Sequence, residues 1–140
     1  MFNPTREQGR QLFFDTWAKY RAGEPLQGLE TVALQVVLLH PEYHSVLDDP
    51  ERFLNRDYQP EGGEANPFLH MSLHVAIEEQ LATDQPPGIR AEFDRIAARL
   101  GDRHDALHSM LECLAEVVWR ALRERATPDN ESYLDCLKRC

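Results

Sequence analysis

Residues 102–125 read DRHDALHSMLECLAEVVWRALRER, and this stretch decides the fold class. Asp102 offers a side-chain acceptor to the free amides of a first helical turn. His104, Leu107, His108, Leu111, Leu114, Val118 and Leu122 then recur at three- and four-residue intervals, the period of a helix with one buried face. The spacing predicts a helix from the Asp102 cap to about Arg125. Gly101, just before it, stops a shorter helix over Ile89–Leu100, in which Ile89, Phe93, Ile96 and Leu100 are spaced for burial. Residues 83–88 (TDQPPG) form a turn, and upstream of it Pro67–Thr83 reads as a helix with Leu69, His70, Leu73, His74, Ile77 and Leu81 inward. Gly28–Leu47 carries Leu29, Val32, Val36, Val37, His40, His44 and Leu47 on one face, with Pro41 expected to kink it. The first helix is expected over Pro4–Ala22, with Leu12, Phe13, Trp17 and Tyr20 as its stripe. A last short one follows Pro128. Asn3-Pro4, Asp49-Pro50, Asn66-Pro67 and Thr127-Pro128 each set a capping side chain before a proline suited to the first helical position. The reading is all-α: one domain over 1–140, a helical bundle of four main helices plus short additional helices. The segment 56–65 (RDYQPEGGEA) reads as a plain connector.

The histidines are the second signal. All six fall in pairs four apart: His40/His44, His70/His74 and His104/His108. Random placement would give roughly 0.2 such pair. On a helix, residues i and i+4 sit one turn apart on one face, so each pair can aim two imidazoles at one point. Glu78 and Glu112 follow His74 and His108 by another four residues. Imidazole is the commonest metal-ligating side chain, and a helical core is where such sites are built. Buried polar groups left without partners cost on the order of 1–3 kcal/mol each, and a shared cation satisfies several together. The candidate metal ligands are His40, His44, His70, His74, Glu78, His104, His108 and Glu112. Nitrogen and carboxylate donors suit a divalent ion such as iron or zinc, and their number suits two ions with a bridging glutamate. On this reading the protein binds metal, and metal-activated water or dioxygen would make it a hydrolase or an oxidase. The alternative is a non-catalytic interaction module, with the histidines as core hydrogen bonders or a pH-responsive cluster.

Composition bounds the rest. The chain has 140 residues, 42% apolar and 28% charged, with a net charge of −9. An acidic balance argues against nucleic-acid binding, which needs clustered cations. No run of 18 apolar residues occurs, so no membrane span is expected, and no export signal is visible at the start. Three cysteines, an odd number, do not read as a secreted framework, so cytoplasmic residence is the expectation. Cys113 reads as a small core hydrophobe, and Cys136-x3-Cys140 as a weak soft-metal pair. The partner is an unknown small molecule or protein, and the oligomeric state is open. His40-Pro41-Glu42-Tyr43-His44 has zincin histidine spacing, but its glutamate is one place late and Pro41 breaks the helix.

The runs Asn66-Pro67-Phe68-Leu69-His70-Met71-Ser72-Leu73-His74, His40-Pro41-Glu42-Tyr43-His44 and His104-x3-His108-Ser109-Met110-x-Glu112-Cys113-Leu114 resemble an uncharacterised bacterial family, domain of unknown function 1841. The resemblance covers most of the chain and implies a small bacterial cytosolic protein; the family's name implies no activity. A looser likeness is to hemerythrin-type bundles, whose His-x3-Glu helix followed by a His-x3-His helix is similar to His74-x3-Glu78 and His104-x3-His108. That likeness implies a dimetal pocket between helices. Since no histidine follows His108, oxygen binding does not carry over.

Overall fold

Capping chemistry places most of the helices where the pattern predicts them. The computed structural model describes residues 6–58 and 66–140. Their elements are α1 (Arg6–Ala22), α2 (Leu29–Leu38), a 3-10 turn (Pro41–Tyr43), α3 (His44–Leu47), α4 (Pro50–Phe53), α5 (Pro67–Thr83), α6 (Ile89–Leu100), α7 (Arg103–Glu124) and α8 (Asn130–Lys138). No strand occurs among the described residues, so the all-α class holds. Asp102 accepts from the Asp105 amide at 3.2 Å, Asp49 from Arg52 at 3.3 Å, and Asn66 from Phe68 and Leu69 at 3.0 and 3.1 Å. Each satisfies amides that a first turn leaves free. The start at Thr127-Pro128 shifts instead to an Asp129 cap, which accepts from the Glu131 amide and the Ser132 hydroxyl. A carboxylate has more acceptor sites than a threonine hydroxyl and takes both bonds. Those bonds, Ser132's first, hold the Asp129 carboxyl below its usual range. The Asn3-Pro4 start and most of the 56–65 connector lie outside the described residues.

The expected helix over 28–47 is broken, not merely kinked. A residue before proline is pushed out of the α region, and His40 sits at φ −127°, ψ 66°. Helix α2 therefore ends at Leu38, and the chain restarts through the 3-10 turn into α3.

Two compact units divide the chain, Met1–Val75 and Ala76–Cys140, with the division falling inside α5. In the first, Phe13, Phe14 and Trp17 of α1 pack with Ala33, Val36 and Val37 of α2, Leu47, and Phe68, Met71 and Val75 of α5. Full burial of such a side chain is worth about 1.5–3 kcal/mol, so this cluster dominates the unit's stability. Arg10 is buried there, its Nη1 donating to the Phe53, Leu54 and Arg56 carbonyls at 3.3, 3.0 and 2.7 Å. Those carbonyls end the short helix α4, where a cation suits the dipole. Trp17 Nε1 donates to Asp48 at 2.7 Å and ties α1 to the end of α3.

In the second unit α6, α7 and α8 pack against one another. Its buried residues include Ile77, Ile89, Ile96, Leu107, Met110, Leu114, Tyr133 and Leu137. The Tyr133 hydroxyl donates to Gln80 Oε1 at 2.8 Å, and Arg90 donates to the Leu81 and Ala82 carbonyls that end α5. The buried face of α7 runs through Leu107, Met110, Leu114, Val117 and Ala121, whereas Leu122 is 75% exposed. Each four-residue step turns about 40° past a full revolution, so the line Leu114, Val118, Leu122 walks off the face. Cys113 is buried as expected but is not a free core thiol: it forms a disulfide with Cys136 of α8. Cys140 is left over as a free thiol, so the odd count stands.

Candidate metal centre

The last-turn carbonyls of α2 accept from the Leu39 and His40 amides, and histidine side chains add a further donor to two of them. His40 Nδ1 lies 2.7 Å from the Val36 carbonyl, and His44 Nε2 lies 2.9 Å from that of Val37. A carbonyl only accepts, so each of these nitrogens carries the proton. In the neutral ring His40 Nε2 then presents a lone pair, held in orientation by the backbone as metal-ligating imidazoles are. The two histidines part company here. His44 packs on Trp17, ring centroids 4.3 Å apart, while His40 is buried and faces His70 and His74. With the helix broken between them, i, i+4 stacking no longer applies to this pair.

His70 and His74 remain one turn apart on α5. His70 Nε2 is 3.1 Å from His40 Nε2 and 3.2 Å from His74 Nε2. A single imidazole nitrogen has one proton or one in-plane lone pair, so only one of these two approaches can be an ordinary hydrogen bond. On α7, His104 and His108 bring their Nε2 atoms to 3.0 Å with rings edge-on at 84°. One ligand nitrogen from each of His40, His74, His104 and His108 falls within 4.8 Å of every other.

The glutamates lie outside that group of four. Glu78 holds Arg103 through both carboxylate oxygens, at 3.0 and 3.1 Å. Glu112 is exposed on α7. The 40° drift per four-residue step explains both: the third member of a His-x3-His-x3-Glu run stands about 80° from the first. One neighbour escaped the sequence reading. Tyr43 stacks on His40, centroids 5.4 Å apart and planes within 8°, and faces His70 edge-on. Burial first, then the Glu42 charge, raises its pKa, so the phenol stays protonated beside the imidazoles. The only signal for it was its place between two histidines after Pro41. Among the described residues, no helix is long and apolar enough to cross a membrane.

A family model described as Domain of unknown function (DUF1841) matches residues 5–139, and the chain belongs to that family. No curated protein and no solved structure matches it.

Proposed function

We propose that this DUF1841 member is a metal-binding helical protein whose His40, His74, His104 and His108 hold one divalent ion, iron or zinc, with His70 as a fifth or alternate donor. The observation that carries the reading is the convergence of four imidazole nitrogens within 4.8 Å. Ligand bonds of about 2.1 Å put nitrogens about 3.4 Å apart around a tetrahedral ion and about 3.0 Å apart at neighbouring octahedral corners. Within the four, His104 and His108 approach to 3.0 Å, near both values, so the spacing suits iron and zinc alike. One ion is favoured over two, since Glu78 is engaged by Arg103 and Glu112 is exposed. Four imidazoles fill a tetrahedral ion and leave no open position for a substrate, a donor set that supports holding the metal over hydrolysis or oxygen chemistry.

The test is elemental analysis of untagged protein, before and after reconstitution with Zn(II) and Fe(II). About one equivalent per chain is expected. No bound metal after both reconstitutions would remove the proposal. A second reading, a non-catalytic interaction module with hydrogen-bonding core histidines, is favoured by the bonds of His40 and His44 to the Val36 and Val37 carbonyls. It predicts that same absence of metal.

A further inference from the structure

Away from the imidazoles, three sulfurs meet in the Ala76–Cys140 unit. Cys113 of α7 and Cys136 of α8 are joined, and the free Cys140 places its Sγ 3.9 Å from Cys113 Sγ. Cys140 Sγ also lies 3.5 Å from the Cys136 carbonyl, so the thiol is folded back over the disulfide. Arg95 anchors this end of the chain, donating to the Cys140 carbonyl at 3.0 Å and the Leu137 carbonyl at 2.8 Å. Cys113 is 3% exposed, whereas Cys136 is half-buried and lines a cavity of about 130 Å³ with Arg120, Ser132 and Arg139. The buried sulfur thus lies beside the internal thiol, and Cys136 is the member of the bonded pair that lines the cavity.

We propose that these three residues form a thiol–disulfide exchange centre, in which Cys140 is the attacking thiol and Cys136 the thiol delivered to the cavity. Deprotonated Cys140 Sγ attacks Cys113 Sγ; the Cys113–Cys136 bond breaks as a Cys113–Cys140 bond forms. Cys136 leaves as a thiolate, while the proton that Cys140 released passes to solvent and is available to the departing RS⁻ of the next step. The exchange is redox-neutral and needs no outside oxidant. The cavity beside Cys136 then admits a low-molecular-weight disulfide, RSSR: the Cys136 thiolate attacks one sulfur, a Cys136–SR mixed disulfide forms, and RS⁻ departs. Arg120 and Arg139 share this cavity with Glu116 and Asp135, and Arg120 is paired with Glu116 at 2.9 Å.

Unreduced, folded protein is incubated with oxidised glutathione, quenched in acid to stop exchange, and digested for disulfide mapping. The expected result is a glutathione adduct on Cys136 together with a Cys113–Cys140 linkage. An adduct confined to Cys140, with Cys113–Cys136 as the sole internal linkage, overturns the proposal, and so does the absence of any adduct. The Cys140→Ser variant, checked for helix content, is expected to lose the Cys136 adduct and keep only Cys113–Cys136. A Cys136 adduct that survives in that variant overturns the role given to Cys140. None of these readouts depends on bound metal.

Discussion

At the scale of single residues, the same residue type serves three ends in this chain, and its surroundings decide which. His44 donates to a carbonyl and packs on Trp17; His40 donates to a carbonyl and keeps its other nitrogen for its neighbours; His74 lies among the converging rings. Substitution should separate them. His74→Ala is expected to abolish stoichiometric metal uptake, while His44→Ala keeps it and loses stability through the Trp17 contact. Metal content and thermal melts of both variants check this, and equal metal loss in the two would refute the division. Tyr133 offers a second check. Burial raises its pKa, so in the folded state it stays a neutral donor to Gln80. A raised folded pKa contributes stability that is fully present below the unfolded value, about 10, and is lost as pH rises above it. Tyr133→Phe should cost about 1–3 kcal/mol at neutral pH, since Gln80 is left buried with an unmet acceptor. It should also flatten the loss of stability above pH 10. Urea unfolding of both proteins at pH 7 and in the alkaline range reads the two effects. The histidine pairing was visible in the sequence, but the membership of the site was not. Spacing names the residues that can share a face, and it does not say that Arg103 will claim Glu78.

Among the elements, α5, α6 and α7 were legible because each begins at a strong cap or turn and runs far enough for its period to show. Asp102→Ala, which removes the acceptor for the Asp105 amide, should lower stability by about 1 kcal/mol, whereas Asp102→Asn should be near neutral. Chemical denaturation midpoints of the two variants distinguish a cap from a surface charge. The break after α2 was legible only in part. Pro41 signals a disturbance, but whether a helix bends or ends depends on how its last carbonyls are satisfied. Here the Leu39 and His40 amides and two imidazoles do so, and ending wins. The faces of α7 were misjudged for a different reason. The closing run Leu114, Val118 and Leu122 steps only by fours and drifts off the face, whereas the packed face continues through Val117 and brings Ala106, Met110 and Ala121 inward.

For the molecule as a whole, helical class followed from pattern, while the division into two compact units inside α5 had no compositional mark, since α5 carries no proline or glycine between Phe68 and Thr83. The Cys113–Cys136 bond was equally unreadable, because cysteines 23 positions apart pair only when two helices happen to bring them together. An ion that binds only the folded chain stabilises it by about 2.7 kcal/mol at a hundredfold excess over its Kd. A calorimetric melt with Zn(II) should therefore rise by several degrees, and His108→Ala should abolish the rise. An unchanged melting temperature in the unsubstituted protein would count against binding.

The end of α2 carries one more consequence. His40 links a backbone carbonyl on one side of its ring to the converging nitrogens on the other. A cation at Nε2 withdraws electron density through the imidazole, acidifies the Nδ1 proton and tightens its hold on Val36. Amide hydrogens of Leu39 and His40, bonded to the carbonyls of this last turn, would then exchange with deuterium more slowly in loaded protein, so occupancy could be read from the backbone alone.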